Sequence, residues 1–102
     1  VDVRAGSATF GRWVGVTLTA DNFKQCSIPP GFAHGFCVVS AVAQVEYKCS
    51  DLYDPGDEIG IAWNDPAINI AWPVTEPILS ERDQTLPTLA ELTPQLRTWF
   101  PA

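Results

Sequence analysis

The chain has 102 residues and a net charge of -6 at pH 7, with 46% hydrophobic and 18% charged residues. This length supports one domain, and the composition is that of a globular protein without a disordered tract. The acidic balance argues against nucleic acid and anionic membrane surfaces as partners, because both select basic patches, and no apolar run approaches the roughly 20 residues that cross a bilayer.

The first half of the chain predicts short strands separated by turns. Residues 1–4 look like the end of a strand, which predicts a preceding segment, and 6–11 form a turn or loop. Residues 12–19 alternate apolar and polar side chains, which is typical of a half-buried strand. Asp21-Asn22 is a turn signal, after which 23–28 are expected to return as another strand.

The central stretch, residues 27–48, predicts a pocket. Its proline–glycine corner ends at Gly31, and His34, the single histidine of the chain, follows at once. Residues 36–39 read as a buried strand, and 43–47 alternate again and end at Tyr47. If the apolar face points inward, the Tyr47 hydroxyl enters the interior that His34 borders.

The second half predicts a polar loop, two brief strands and a helical end. The loop covers 49–60, and 60–63 and 68–72 are expected to be strands. Ser80 and Asp83 have the spacing of a helix cap. Four leucines predict the apolar side of one or two helical turns, the second restarting at Thr93-Pro94; they are Leu86, Leu89, Leu92 and Leu96. The pattern as a whole favours an all-β sandwich or barrel.

Cys26, Cys37 and Cys49 are odd in number and too widely spaced for a CxxC metal site. Such cysteines are typical of reduced thiols, and we expect a cytoplasmic protein.

Four motifs occur in order along the chain: SIPPGFAHGF, VEYKCSDLYDP, GIAWNDPAINIAWP and PILSERD. Together they resemble the dTDP-4-dehydrorhamnose 3,5-epimerase family, the RmlC-like cupins. The resemblance implies antiparallel jelly-roll β-structure, a homodimer, no cofactor, and inversion of C3 and C5 of a 4-keto sugar nucleotide. It covers residues 1–92 as the second half of a family member, beginning after the strands that carry the base histidine, and leaves 93–102 as an unmatched tail.

By this resemblance, Tyr47 matches the general acid that returns a proton to the sugar carbon. The alternative is a core tyrosine whose hydroxyl has a hydrogen-bond partner. Asp83 matches the aspartate that orients the base histidine, and its alternative role is the cap with Ser80. Since that histidine is absent from this chain, Asp83 is left with the cap.

Four further residues match substrate contacts in the family: His34, Tyr53, Glu58 and Arg82. The alternatives are a structural histidine on a glycine-flanked turn and an ordinary solvated loop. A metal-binding cupin needs two close histidines and a glutamate, which one histidine cannot supply, so we expect no metal. Residues 63–66, WNDP, mark the family, but their chemistry predicts a rigid turn packed by an aromatic ring.

The sequence thus predicts an epimerase-like protein that binds or acts on a nucleoside diphosphate sugar but has little activity alone, because its base is missing. The alternative is a non-catalytic cupin homologue that binds such a ligand weakly or not at all. A barrel divided at its middle leaves open sheet edges and apolar side chains, which predicts a homodimer. A monomer would instead need the tail 93–102 as its cover.

Overall fold

The computed structural model describes residues 1–48 and 59–100 of the chain. Within these ranges the regular elements are a 3-10 helix, Arg82–Gln84, one α-helix, α1, Leu89–Trp99, and a single antiparallel bridge between Asp2 and Phe32. The core forms where the first residues, the segment around Ile68 and α1 meet.

Residues 1–3 pair on one edge with residues 31–33. The Ala33 N–H donates to the Val1 carbonyl at 2.9 Å, and the Val3 N–H donates to the Gly31 carbonyl at 3.0 Å. Gly31 has a φ of 89°, a left-handed conformation that glycine adopts readily. The corner predicted after the two prolines therefore turns the chain directly into this pairing.

On their other edge, residues 1–3 contact the end of the first loop. The Asp2 N–H donates to the Arg12 carbonyl at 2.9 Å, and the Gly11 N–H donates to the Asp2 carbonyl at 2.8 Å. The first residues thus lie between two backbone segments that are far apart in sequence. The predicted strand end is present as this short pairing.

Two features fix the start of α1. Thr88 and Glu91 form a capping box, because the Thr88 hydroxyl accepts the Glu91 N–H at 3.3 Å and the Glu91 carboxylate accepts the Thr88 N–H at 3.3 Å. In addition, the Asp65 carboxylate accepts the Leu89 N–H at 2.7 Å. Both carboxylates lie at the positive end of the helix dipole, which they stabilise.

The leucines of α1 form one side of the core. Leu89, Leu92 and Leu96 pack with Val3 and Ile68, and Leu96 is 0% exposed. The predicted helical segment is confirmed, but it is one continuous helix that passes through Pro94 rather than two pieces. Burial of Leu92 and Leu96 on both sides of the proline offsets the roughly 3 kcal/mol that an interior proline costs.

The predicted tail takes part in this core. Its boundary at residue 92 falls inside α1, and Leu96 lies beyond it. The Phe100 N–H closes the helix by donating to the Leu96 carbonyl at 2.8 Å. Leu96 and Phe100 thus pack with Val3 and Ile68 in the core.

The all-β expectation is not confirmed, because the described ranges contain no strand ladder apart from the Asp2–Phe32 bridge. Apolar side chains of the strands predicted at 12–19, 36–39 and 43–47 were expected to face inward, but they are exposed, as Val14 is at 84%. The same holds for others of that set: Val16, Leu18, Val38 and Val45. The physical reason is that a strand is stable only beside another strand, and these segments have no such neighbour within the described residues.

The turn predicted at residues 21–22 is confirmed and is held by the Asn22 side chain. Its carbonyl oxygen accepts the Thr19 N–H at 3.2 Å and the Lys24 N–H at 3.0 Å. The Asn22 N–H in turn donates to the Thr19 hydroxyl at 3.0 Å. Asparagine favours turns because it can form such local bonds.

Candidate functional site

Four of the six residues singled out by the sequence lie in the described ranges, and all four are exposed: His34, Tyr47, Arg82 and Asp83. Tyr53 and Glu58 lie outside the described residues, as does most of the loop predicted at 49–60.

His34 follows directly on the paired residues 31–33, so its backbone position is set by that pairing. The next residue, Gly35, lies against the ring of Trp72, whose nearest carbon would be 4.0 Å from a Cβ at that glycine. The His34 side chain itself is exposed, so its ring nitrogens are accessible to a ligand.

Tyr47 is 61% exposed, and its ring lies 6.4 Å from the ring of Phe36, centroid to centroid, with a tilt of 50°. This tilted arrangement is a favourable aromatic pair. The alternative of a core tyrosine with a bonded hydroxyl does not describe it, since the side chain is exposed and its hydroxyl has no hydrogen bond within the described residues.

Asp83 lies in the 3-10 helix, where its N–H donates to the Ser80 hydroxyl at 3.2 Å. The hydrogen bond expected between Ser80 and Asp83 is thus present, although the residue at the N-cap position of this helix is Glu81. The neighbouring Arg82 carbonyl accepts the Thr85 N–H at 3.2 Å, which ends this short helix. In the part of the chain that the structure describes, no hydrogen bond joins His34, Tyr47 and Asp83 to one another.

A buried acidic network, which sequence reasoning missed, lies next to the paired residues. Asp2 is 2% exposed, and its carboxylate accepts the Arg4 N–H at 2.9 Å, the Arg4 Nε at 3.0 Å, the Arg4 Nη2 at 3.0 Å and the Thr9 hydroxyl at 2.6 Å. The Arg4 guanidinium holds the pKa of Asp2 well below its usual range, against the opposing effect of burial. The signal in the sequence was an acidic residue, Asp2, two positions before a basic one, Arg4, in a segment that alternates apolar and polar residues.

Arg4 connects this network to its surroundings. Its guanidinium lies 4.9 Å from the centre of the Phe32 ring, and the Asp2 carboxylate raises its pKa. A Cβ added at Gly31 would lie 2.6 Å from Cγ of Arg4. The arrangement is a structural clamp that holds the pairing on which the position of His34 depends.

A second buried carboxylate organises the WNDP turn. Asp65 is 4% exposed, and its oxygens accept the Ala67 N–H at 2.9 Å and the Leu89 N–H at 2.7 Å. The Trp72 indole N–H donates to the Trp63 carbonyl at 2.8 Å. The prediction of a rigid turn packed by an aromatic ring is confirmed, and the turn also positions α1.

Among the described residues there is no cluster of three histidine, cysteine or acidic side chains that could hold a metal ion. Cys26 and Cys37 are both free thiols. No helix in the described ranges has the length and apolar character to span a membrane.

Comparison with known proteins gives a consistent picture. Residues 1–91 match the family model described as dTDP-4-dehydrorhamnose 3,5-epimerase. The chain is 54% identical over 92 residues to dTDP-4-dehydrorhamnose 3,5-epimerase of Neisseria gonorrhoeae, with 89% of this chain and 28% of that protein covered. It is 53% identical over 93 residues to the same enzyme of Escherichia coli (strain K12), and the match covers 90% of this chain and 50% of that protein. It is also 42% identical over 91 residues to dTDP-4-dehydrorhamnose 3-epimerase of Streptomyces niveus, and this match covers 89% of this chain and 44% of that protein.

The chain therefore spans half or less of the length of these three relatives. No solved structure matches this one. Since the family model matches 91 of the 102 residues, and all four sequence motifs lie within that match, the chain belongs to the dTDP-4-dehydrorhamnose 3,5-epimerase family.

Proposed function

We propose that the chain supplies the proton-returning part of an epimerase-type site for a dTDP-4-keto sugar. The observation that carries this proposal is the family match through residues 1–91, which includes Tyr47 and Asp83. Relatives that match the same region are named as epimerases of dTDP-4-dehydrorhamnose at C3 and C5, or at C3 alone.

In this proposal a base removes the proton from the carbon next to the ketone, which leaves an enolate. The Tyr47 phenol then donates its proton to that carbon from the opposite face, so the centre is inverted. Tyr47 suits this step because its side chain is exposed. His34 is the single histidine of the 102 residues and belongs to the substrate-binding motif, so the base comes from outside this sequence.

His34 and Arg82 are proposed to contact the nucleoside diphosphate sugar, with Tyr53 and Glu58 from the loop that lies outside the described residues. A guanidinium matches the geometry of phosphate oxygens and is always charged, which suits Arg82 to the diphosphate. Asp83, the aspartate of the family's histidine–aspartate pair, is proposed to orient the incoming base once that base is in place.

A non-catalytic homologue that binds a sugar nucleotide weakly is the second candidate. It is favoured by the exposed positions of His34, Tyr47 and Asp83 and by the lack of hydrogen bonds among them in the described ranges. For either candidate we propose a jelly-roll homodimer in the cytoplasm. The free Cys26 and Cys37 and the apolar side chains left open between residues 13 and 47 support this proposal.

Solvent-deuterium incorporation into the keto sugar tests the chemistry. Exchange at C3 and C5 is expected to be absent or very low for the chain alone, because loss of a general base typically costs about 10²–10⁴ in rate. Exchange by the wild type that disappears in Tyr47→Phe would contradict the missing-base proposal, since the chain would then carry its own base. Exchange at C3 alone would instead indicate that the chain acts like the 3-epimerase relative.

Titration with a dTDP sugar, followed by amide chemical shifts, tests whether the chain binds the sugar nucleotide. Saturable shifts near His34 and Arg82 would support the shared ligand site, and Arg82→Gln is expected to weaken them. An absence of shifts at millimolar ligand would leave only the structural alternative, a homologue that does not bind the sugar nucleotide.

A further inference from the structure

A cleft of about 380 Å³ opens beside the WNDP turn, and the described residues that line it do not include His34, Tyr47, Arg82 or Asp83. Two tryptophans, Trp63 and Trp72, line it together with two exposed asparagines, Asn64 and Asn69. Ile70 and Val74 add apolar surface.

The walls of this cleft are fixed by hydrogen bonds. The Asp65 carbonyl accepts the Ile68 N–H at 3.2 Å and the Asn69 N–H at 2.9 Å, and Asn69 has a left-handed φ of 56°. The Trp72 indole N–H donates to the Trp63 carbonyl, so Trp72 can offer a ligand the face of its ring but no free donor. A preformed site loses little conformational entropy when a ligand binds.

The chemistry of the lining selects a neutral ligand. Among the described residues that line it, Asp65 is the single charged one, and it is 4% exposed with both carboxylate oxygens already accepting backbone N–H groups. No lysine, arginine or histidine occurs among these described lining residues, so they offer a phosphate or diphosphate no counter-charge. The side chains of Asn64 and Asn69 make no hydrogen bond within the described ranges, so their donors and acceptors are available.

We propose that the cleft between Trp63 and Trp72 binds a neutral pyranose ring. The axial C–H groups of a sugar ring pack on an aromatic face, and its hydroxyls exchange hydrogen bonds with side-chain amides. This inference does not depend on the proposed epimerase function, because neither Tyr47 nor the base takes part.

Methyl β-D-glucopyranoside is a suitable probe, because its equatorial hydroxyls leave C–H groups on both ring faces. The indole N–H signals of the four tryptophans can be followed during a titration. Those of Trp63 and Trp72 are expected to shift and saturate in the millimolar range, while those of Trp13 and Trp99, which lie outside the cleft, stay in place. The absence of saturation, or equal movement of all four signals, would overturn the proposal.

Two variants remove the amides with little disturbance. Asn69→Gly keeps a residue that tolerates the left-handed backbone, and Asn64→Ala truncates an exposed side chain. Each is expected to weaken the glucoside about 2- to 10-fold, the effect of one or two lost hydrogen bonds. Gln95→Ala, an exposed amide on α1, is the matched control and is expected to bind like the wild type.

Thymidine serves as the competing class of neutral ring. Saturable shifts at Trp63 and Trp72 with thymidine but not with the glucoside would mean a nucleobase site and would overturn the sugar assignment. The sugar assignment would also be overturned if both asparagine variants bound the glucoside as tightly as the wild type. Dispersed indole signals would show that the variants are folded.

Discussion

Asp2 is a charged residue placed where apolar residues usually lie, between Val1 and Val3 of the paired segment. Its charge is tolerated because Arg4 and Thr9 supply donors to both carboxylate oxygens. Such a group contributes to the fold only as long as it stays ionised.

Asp2→Asn is expected to lower the free energy of unfolding by about 1.5–3 kcal/mol, because hydrogen bonds to a charged group are lost and an amide cannot accept all of these donors. Urea unfolding followed by tryptophan fluorescence measures the change. Asp21→Asn, at an exposed turn, is the matched control and is expected to stay within about 0.5 kcal/mol of the wild type.

The same carboxylate gives the stability an acid dependence. Because the folded-state pKa of Asp2 is lowered from its ordinary value of 3.8, its contribution is complete above that value and is lost as the pH falls below it. The difference between wild type and Asp2→Asn should therefore be full at about pH 6 and shrink at about pH 3. A difference that stays constant across this window would contradict the assignment.

At the scale of the element, α1 depends on one fully buried side chain. Leu96→Ala is expected to destabilise the chain by about 2–5 kcal/mol, because it leaves a cavity beside Val3 and Ile68. Ile78 is a fully exposed aliphatic residue, so Ile78→Ala is the matched control and should change little. Equal losses in the two variants would mean that α1 does not pack on this core.

Pro94 lies inside the same helix. It has no N–H to donate to the Ala90 carbonyl, yet α1 continues through it. Pro94→Ala is expected to raise the free energy of unfolding, by up to about 3 kcal/mol, and to slow hydrogen exchange in the first turns of α1. A loss of stability would indicate that the proline, rather than the leucines, sets the position of the helix.

The helix was predictable and the strands were not, for a physical reason. Leucines three and four residues apart specify burial along one local element, and the Thr88-x-x-Glu91 spacing marks its start, although that box escaped the sequence reading. Alternation of apolar and polar residues at 12–19 or 43–47 specifies only which face of a strand is buried. A strand also needs a neighbouring strand to be stable, and the local sequence does not specify that neighbour.

The candidate site shows the same division. The turn at 63–66 was predicted because its chemistry is local, whereas the Asp2 network was missed because it depends on pairing with residues 31–33 and on Thr9. The roles of Tyr47 and Asp83 came from resemblance to a family and remain predictions, as do those of Tyr53 and Glu58.

At the scale of the whole molecule, apolar exposure is concentrated in one part of the chain. The side chains between residues 13 and 47 that remain open to solvent include Trp13, Val14, Val16, Phe23, Val39 and Val42. A soluble monomer rarely leaves so many large apolar side chains uncovered.

We therefore expect at least a dimer in multi-angle light scattering at micromolar concentration. Val14→Lys is expected to shift the population toward the monomer, because it places a charge in the interface. Ile78→Lys, an equally exposed position outside this part of the chain, serves as the control. A well-folded wild-type monomer would contradict this prediction and would favour the alternative that residues 93–102 cover the open face.

Gly31 carries a consequence for how this chain tolerates sequence variation. Its backbone is left-handed, and any side chain there would meet Arg4 at 2.6 Å. In a saturation-mutagenesis map, position 31 should therefore be as depleted as position 2, although it bears no functional group. Substitutions at the two positions should also be epistatic, since displacing Arg4 and removing its carboxylate partner damage one and the same clamp.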